Sequence, residues 1–462
     1  MGGGRACGRP QLQSRQGRVP AVRLSAQTAL PAGVRAPAYD RRQQATGIVH
    51  FGIGAFHRAH QAVYTDDAMV AGDRDWGIVG VSLRSADVAA QLGPQDGLYT
   101  VSSRTAAGPE IRLIGAVQRV LVAAQEPQAV IDVLAAPTTH IVSFTVTEKG
   151  YLRAAYGNLD LDAARGASSF YRLVGAALAA RKTAGLPGLT LLSCDNLANN
   201  GAVLRALMRQ YLAAKHPDVA LWFDATCRCP ATMVDRIVPA TTNADRAAVE
   251  AVLGVRDEGA VVTEAFSQWV IEDDFAGPRP RWDAVGAELV ADVAPYETAK
   301  LRMLNGAHSA LAYIGLLAGH EHVHRAVADP AIRPIVERLM RDEAAPTIDA
   351  APGQDLGAYA DALLDRFANP ALDHRLIQIA MDGSQKIPQR WLETRAWHQS
   401  RGSTCPSIER AIDTWIAFLN DGRWPIDDPM ADTLRAAAAQ PDARNRLFGP
   451  DGVMQSGLAR PG

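Results

Sequence analysis

Residues 47–56 read GIVHFGIGAF, and this stretch decides the fold. Its first half is a short run rich in apolar and β-branched residues, which is typical of a buried strand. Gly52 and Gly54 interrupt the run, and a stretch with helical spacing follows them. A strand, a tight glycine turn and a helix in this order are typical of the first unit of a dinucleotide-binding sheet. The first half of the chain is therefore predicted to begin with such a unit.

More strands follow, alternating with helical segments. Apolar runs at 76–83, 139–151 and 189–196 predict buried strands. This alternation predicts an α/β fold with a parallel, doubly wound sheet of the Rossmann type. Ligands bind such sheets outside the carboxyl ends of the strands. Glu148 and Asn196 occupy such positions and are expected near a ligand.

The pattern changes near residue 290, where helical periods replace strands. We predict a dinucleotide-binding domain at 22–290 and a mainly α-helical substrate and catalytic domain at 291–462. Residues 1–20 carry four arginines, no acid and no apolar core of a signal peptide. We therefore expect 1–21 to be a disordered tail, with an organelle address as the weaker alternative.

Composition excludes several classes of protein. The 462 residues are 48% hydrophobic and 21% charged, with a net charge of -2, so nothing favours nucleic acid or an anionic membrane as partner. No uncharged apolar run is long enough to span a bilayer. Five cysteines favour a reducing, cytoplasmic setting, and the lone pair Cys227 and Cys229 lacks the second pair of a zinc site. We expect no metal, and a monomer or small homo-oligomer.

The glycine turn is an incomplete cofactor motif. Gly52 would permit the tight turn, and Gly54 would let a pyrophosphate approach the backbone. His57 occupies the third glycine position, so the motif alone also describes a turn without a ligand. Phe56 and Arg58 are assigned to the cofactor site, with Arg58 as a phosphate contact or, alternatively, part of a polar first helical turn.

The preferred coenzyme is left open by the second strand. An acid after this strand would hold the ribose of NAD, whereas an arginine would accommodate the phosphate of NADP. Arg84 comes first and Asp87 follows. We expect NAD, without excluding NADP, and assign Glu148 to the same cofactor site.

Residues 300–320 read KLRMLNGAHSALAYIGLLAGH, an apolar helix with polar exceptions. At about 100° per residue, Lys300, Asn305 and His308 share one face, and Glu297 joins them one turn earlier. Burying an unpaired polar group costs roughly 2–7 kcal/mol. The face is therefore expected to line a cleft. Alternatively, Lys300 reaches the surface while Asn305 and His308 satisfy each other, and spacing alone does not decide.

This constellation suits the oxidation of a secondary alcohol without a metal. Lys300 would be the base, provided that desolvation keeps its amine neutral. Asn305 and Asn196 would donate to the developing alkoxide. His308 would orient the substrate or the lysine, and Glu297 would carry the proton to water.

The sequence resembles the long-chain mannitol dehydrogenase family, which includes mannitol 2-dehydrogenase and fructuronate reductase. Seven ordered blocks between residues 47 and 390 carry the resemblance: GIGAFHRAHQAVYTDD, TVTEKGY, SCDNLANNG, TMVDRIVP, QWVIEDDF, YETAKLRMLNGAHSALAYIGLLAGH and IAMDGSQKIPQR. The resemblance implies a Rossmann-type domain, a helical domain and an active site between them. It also implies NAD(P)-dependent, zinc-independent oxidation at C2 of a linear polyol or aldonate.

The resemblance also assigns individual roles. It implies that Lys300 is the base, that Asn196 and Asn305 form the oxyanion hole, and that Glu297 gates the proton. Asp235 and Lys386 become substrate contacts by the same comparison. From the residues alone, Asp235 is as well explained by an ion pair with Arg236, and Lys386 by a solvated loop.

The substrate is left open by one departure from the family. Mannitol dehydrogenases can carry an arginine eight residues before the lysine that corresponds to Lys386, and this chain has Gln378 there. A carboxylate substrate requires a cation, and Lys386 is one candidate. The substrate pair is therefore either D-mannitol and D-fructose or D-mannonate and D-fructuronate. The alternative function is a non-catalytic nucleotide- or sugar-sensing protein on the same fold.

Overall fold

The computed structural model describes residues 22–105, 107–154 and 157–454. The tail predicted at 1–21 lies outside these residues. No helix in the described ranges combines the length and apolar character needed to cross a bilayer. The strands are β1 Thr46–Phe51, β2 Gly77–Ser82, β3 Tyr99–Thr105, β4 Gly108–Ile114, β5 Val117–Val122, β6 Ile141–Phe144, β7 Thr190–Ser193, β8 Thr232–Asp235, β9 Val261–Glu264, β10 Gln268–Glu272 and β11 Glu288–Val290.

The α-helices fall into two groups, before and after β11. The first group is α1 Ala55–Ala59, α2 Gln61–Val70, α3 Asp87–Leu92, α4 Pro127–Ala135, α5 Thr147–Gly150, α6 Leu161–Ala164, α7 Phe170–Thr183, α8 Asn200–Lys215, α9 Pro217–Thr226 and α10 Asn243–Leu253. The second group is α11 Ala294–Ala299, α12 Gly306–Leu317, α13 Val323–Ala328, α14 Arg333–Arg338, α15 Leu356–Ala368, α16 Leu376–Ile379, α17 Gly383–Ile387, α18 Glu393–Ser400, α19 Pro406–Asp421, α20 Ala431–Ala438 and α21 Ala443–Phe448.

A five-stranded parallel sheet organises the first half, in the order β5-β2-β1-β6-β7. Its central strand β1 is buried on both faces. Val49 and Phe51 pack into one apolar core, whereas Ile48 packs into a second core on the opposite face. Both faces are covered because the segments that connect the parallel strands pack against the sheet. The predicted Rossmann-type, doubly wound fold is confirmed.

Two smaller sheets lie outside this prediction. Strands β4, β3 and β9 form one, and β11, β10 and β8 form the other. Strand β3 pairs antiparallel with β4, and β8 pairs antiparallel with β10. Their strands are short and mix polar with apolar residues, so their periodicity is weak. The second of these sheets matters most for function because β8 ends at Asp235, beside the cleft described below.

The strand predicted at 139–151 is shorter than expected. Strand β6 ends at Phe144, and the short helix α5 begins at Thr147. Thr147 has a φ of 63°, which interrupts the extended chain. The carboxylate of Asp195 accepts hydrogen bonds from the backbone N–H groups of Val146 and Thr147, at 3.1 and 2.8 Å. These bonds replace strand pairing and turn the chain across the edge of the sheet.

Beyond Val290 the described residues are helical, and one large apolar core extends from Ala299 to Met454. The predicted mainly α-helical second part is confirmed. The expectation of a regular α-helix from Lys300 is wrong at its start, because Lys300–Asn305 is a π-helix between α11 and α12. The N–H of Gly306 donates to the carbonyl of Leu301, five residues earlier. Two further π-helices, Leu339–Ala344 and Pro388–Leu392, pack against this one.

The glycine turn after β1 is sterically specified at Gly52. This residue has a φ of 93°, and a Cβ there would lie 2.1 Å from the carbonyl oxygen of Thr145. At Gly54 the nearest atom to an added Cβ would be 3.8 Å away. The fold therefore requires the first glycine, whereas the second keeps a surface open.

Gly52→Ala is expected to lower the melting temperature by several degrees. Strain at a left-handed backbone position costs about 1–3 kcal/mol, and each kcal/mol shifts the midpoint by about 2–4 °C in a domain of this size. Gly54→Ala is the matched control and should melt within about 2 °C of the wild type. Equal melting of both variants in a differential scanning experiment would contradict this account of the turn.

Candidate active site

Two adjoining cavities lie between the carboxyl edge of the parallel sheet and the π-helix. The larger has a volume of about 610 Å³ and the smaller about 130 Å³. Both are lined by Asp195, Asn196, Val234 and Lys300. The larger cavity is also lined by Gly52, Gly54, Phe56, Glu148 and Asp235. The smaller is also lined by Glu297, Leu301, Asn305 and Gln389. The cleft thus brings together most of the residues that the sequence singled out.

The amine of Lys300 bridges the two halves of the chain. Its Nζ donates to Oδ1 of Asn196 and to the backbone oxygen of Val234, each at 2.8 Å. Burial lowers the pKa of Lys300, and the carboxylate of Asp235 opposes this effect. A neutral amine carries two hydrogens, and these two bonds use both. Its lone pair is then free to accept a proton from a group in the cleft.

Asn196 is held with its amide nitrogen available. Because Oδ1 accepts from Lys300, Nδ2 is left as a donor. The loop after β7 is fixed by Asn200, whose Nδ2 donates to the backbone oxygens of Asp195 and Thr232 at 3.1 and 2.8 Å. Asp195 in turn clamps the turn after β6. Asp195 and Asn200 therefore position the two turns beside the cavities, and the sequence analysis assigned neither of them a role.

Glu297 lies in the smaller cavity with Lys300. Its carboxylate accepts a hydrogen bond from the backbone N–H of Asn199 at 3.4 Å. Burial raises the pKa of Glu297, and the charge of Lys300 opposes that rise. A half-buried carboxyl beside the amine is suited to exchanging protons with it.

His308 lies one turn beyond Asn305 and is buried. Its ring packs against Phe367 and, edge-on, against His374, with centroids 4.6 and 5.3 Å away. Burial lowers the pKa of His308 well below its ordinary value. His308 is therefore a neutral ring behind the cleft wall, and it does not line either of the two cavities.

Asp235 belongs to a buried ion cluster. Its carboxylate accepts two hydrogen bonds from Arg366, at 2.6 and 3.0 Å. Glu264 accepts two more from the same guanidinium. The alternative of an ion pair between Asp235 and Arg236 is wrong. The guanidinium of Arg236 donates instead to the backbone oxygens of Ala59 and Glu264. Arg366 lies on α15, so this cluster joins the helical half to the sheet half; nothing in its sequence neighbourhood indicates this role.

Two further predicted site residues, Arg58 and Lys386, lie outside both cavities. The guanidinium of Arg58 donates to the backbone oxygens of Gly54 and Gly259 and lies over the ring of Tyr99 at 5.5 Å. It braces the glycine turn from behind, because its donors are directed into the protein. The Nζ of Lys386 donates to the backbone oxygen of Met381 at 2.6 Å.

The larger cavity fits a dinucleotide at its glycine edge. Space next to Gly54 is open to a bulky group, whereas Gly52 is filled by the crossing chain. Phe56 and Glu148 lie on the same wall. Among the described residues, no cluster of three or more His, Cys, Asp or Glu side chains has the arrangement of a metal site. The Sγ of Cys227 instead accepts from the backbone N–H of Leu189 at 3.4 Å.

Comparison with known proteins identifies the class. The mannitol dehydrogenase Rossmann domain matches residues 46–284, and the mannitol dehydrogenase C-terminal domain matches residues 292–447. The chain belongs to the mannitol dehydrogenase family and is an oxidoreductase.

Individual relatives agree over nearly the whole chain. A D-mannonate oxidoreductase of Escherichia coli (strain K12) is 40% identical over 92% of each chain. A mannitol 2-dehydrogenase of Pyricularia oryzae is 37% identical over 88% of this chain and 85% of its own. The solved Pseudomonas fluorescens mannitol 2-dehydrogenase, a ternary complex with NAD and D-mannitol, is 36% identical with a TM-score of 0.77, covering 90% of this chain and 89% of its own.

Arg366→Met is expected to destabilise the protein by about 3–5 kcal/mol, because it leaves two buried carboxylates without a cation. Arg333→Ala is the matched control: its pair with Glu337 is exposed, with 44% and 36% of the side chains accessible. Such pairs contribute about 0–1 kcal/mol. The free energy of unfolding in urea is measured for both variants. Similar losses of stability in the two would show that the ion cluster does not hold the two halves together.

Proposed function

We propose that this protein is an NAD(H)-dependent, zinc-independent dehydrogenase. It interconverts a secondary alcohol and the corresponding ketone, at C2 of a linear polyol or at the carbon next to the CH2OH terminus of an aldonate, with Lys300 as general base. One observation carries the proposal. The amine of Lys300 donates to Asn196 and Val234 beside the glycine turn, and its burial lowers its pKa toward the neutral form that a general base requires.

The relatives support the substrate class and the cofactor. Proteins 37–40% identical to this chain are named for D-mannonate and for mannitol. The Pseudomonas fluorescens structure contains NAD and D-mannitol. Gly54, Phe56 and Glu148 would hold the cofactor in the larger cavity. The bound nicotinamide supplies or accepts the hydride.

The chain's own residues handle the proton. In the oxidation direction Lys300 takes the hydroxyl proton of the substrate. The side-chain amides of Asn196 and Asn305 donate hydrogen bonds to the oxygen as negative charge develops on it. Glu297 then accepts the proton from Lys300 and passes it to solvent. Asp235 lines the cleft, and Arg366 holds its carboxylate in place. This carboxylate can accept a hydrogen bond from a substrate hydroxyl.

A test of this proposal is to follow NADH absorbance with D-fructose, D-fructuronate, D-mannitol and D-mannonate, and to repeat the assay with NADPH. We expect turnover of at least one ketose–alcohol pair with NADH, and no loss of activity in the presence of a chelator. NADH binding without turnover of any substrate would favour a nucleotide-binding sensor instead.

Lys300→Ala is expected to reduce turnover by a factor of about 10² to 10⁴, the usual scale for acid–base catalysis. Oxidation requires the neutral amine, so kcat/KM should rise with pH to a plateau, through an apparent pKa below that of an ordinary lysine. Reduction requires the protonated amine and should fall over the same range. The pH profiles of wild type and variant measure both effects, and an unchanged rise in the variant would assign the titration to another group.

A further inference from the structure

Arg390 lies on the π-helix Pro388–Leu392, which packs against Lys300–Asn305. Its Nη1 donates to the backbone oxygen of Asn305 at 3.2 Å and to Oγ of Ser309 at 2.7 Å. The adjacent Gln389 lines the smaller cavity. Arg390 therefore lies directly behind Asn305, next to the smaller cavity, and its side chain is not among those that line either of the two cavities. The sequence analysis did not single it out.

The charge of Arg390 has no counter-ion in the described part of the chain. Its hydrogen bonds there are those to Asn305 and Ser309, and both acceptors are neutral. Arg366, by contrast, forms ion pairs with the carboxylates of Asp235 and Glu264. Burial lowers the pKa of Arg390 to about 10, and its charge contributes to the lowered pKa values of Lys300 and His308. A half-buried cation without a carboxylate is costly unless a ligand supplies one.

Other cations near this end of the cleft are less suited to an anion. Lys386 donates to a backbone oxygen and has Asp382 3.9 Å from its amine. Gln378 is uncharged, and burial lowers the pKa of His374, so that its ring is neutral. Arg390 retains unused donors at Nε and Nη2 among the described residues. A guanidinium with two free donors can bind a carboxylate in a bidentate manner.

We propose that Arg390 binds the carboxylate of a linear sugar acid, and hence that this chain acts on an aldonate and its keto acid rather than on a neutral polyol and ketose. The inference rests on the proposed function and deepens it. In D-fructuronate the carboxylate lies at the opposite end of the carbon chain from the ketone. The ketone would face Lys300 and Asn305, and Arg390 would hold the far end. A neutral hexitol places only a hydroxyl there and leaves the cation uncompensated.

The test compares kcat/KM for D-fructuronate and D-fructose in the wild type, Arg390→Gln and Arg390→Lys. A hydrogen bond to a charged group is worth about 1.5–3 kcal/mol, and 1.4 kcal/mol is tenfold. The ratio of the two kcat/KM values should therefore fall about ten- to hundredfold in Arg390→Gln. Arg390→Lys keeps the charge without the planar guanidinium. Its ratio should lie between those of the wild type and Arg390→Gln. Arg333→Gln, at an exposed arginine paired with Glu337, is the control and should leave the ratio within about threefold of the wild type. Lys386→Gln tests the competing candidate cation.

Three kinetic results would overturn the inference. The first is a wild-type preference for D-fructose. The second is an equal loss for both substrates in Arg390→Gln, since this is what a role confined to positioning Asn305 would give. The third is a collapse of the ratio in Lys386→Gln alone.

Binding of D-mannonate and D-mannitol, measured by calorimetry in the presence of NADH, separates this inference from the proposed catalysis. Binding of D-mannonate that is tighter than that of D-mannitol and depends on Arg390 supports the inference even if no substrate is turned over. Mannonate affinity unchanged in both Arg390 variants contradicts it, whatever the turnover. Melting temperatures of the variants report whether each is folded.

Discussion

The site depends on one side chain that reaches from the helical half to two oxygen acceptors of the sheet half. Lys300 donates to the side chain of Asn196 and the backbone of Val234. Neither acceptor carries a charge, so neither stabilises the protonated amine as a carboxylate would. The low-dielectric surroundings then favour the neutral form. The chemistry proposed for this lysine is thus a consequence of how the two halves pack, and neither half alone would provide it.

The charges around the amine are distributed unevenly. On one wall, a single guanidinium is surrounded by Asp235 and Glu264, so that wall has an excess of negative charge. On the side of Asn305, Arg390 donates to neutral acceptors and has no carboxylate partner among the described residues. Lys300 therefore lies between an anionic cluster at Asp235 and this cation behind Asn305. A substrate with one anionic terminus would enter such a cleft in one orientation only, which fixes which hydroxyl meets the amine.

The sequence predicts four strands of the parallel sheet, β1, β2, β6 and β7, because they are short apolar runs buried on both faces. It misses the edge strand β5, where Gln118 and Arg119 interrupt the apolar run. It does not predict the two smaller sheets, whose strands mix polar and apolar residues. Among site residues, the polar face from Glu297 to Asn305 could be found from spacing, since an apolar helix makes its exceptions visible. Asn196 could also be found, because it is a polar residue that directly follows an apolar strand.

The remaining features depend on tertiary contacts that have no local pattern. Arg366 and Arg390 lie in helices with no distinctive local pattern. Only the packing shows that the first has carboxylate partners and that the second has none among the described residues. Arg58 illustrates the opposite error. Its position after the glycines suggests a phosphate contact, but its guanidinium is directed to Gly259. The direction of a long side chain cannot be inferred from its place in the sequence.

The π-helix at Lys300–Asn305 amounts to one extra residue inserted into an otherwise continuous helix from Ala294 to Leu317. Loss of one residue there would restore an α-helical register and leave α11 and α12 in nearly the same phase, because the wider turn absorbs the extra residue. Such a change would alter the local spacing of the amine and Asn305 while leaving the composition of the cleft the same. The spacing of these two groups is therefore a property of chain length at this point, so a relative with a one-residue deletion in this segment would keep the fold and lose the alignment.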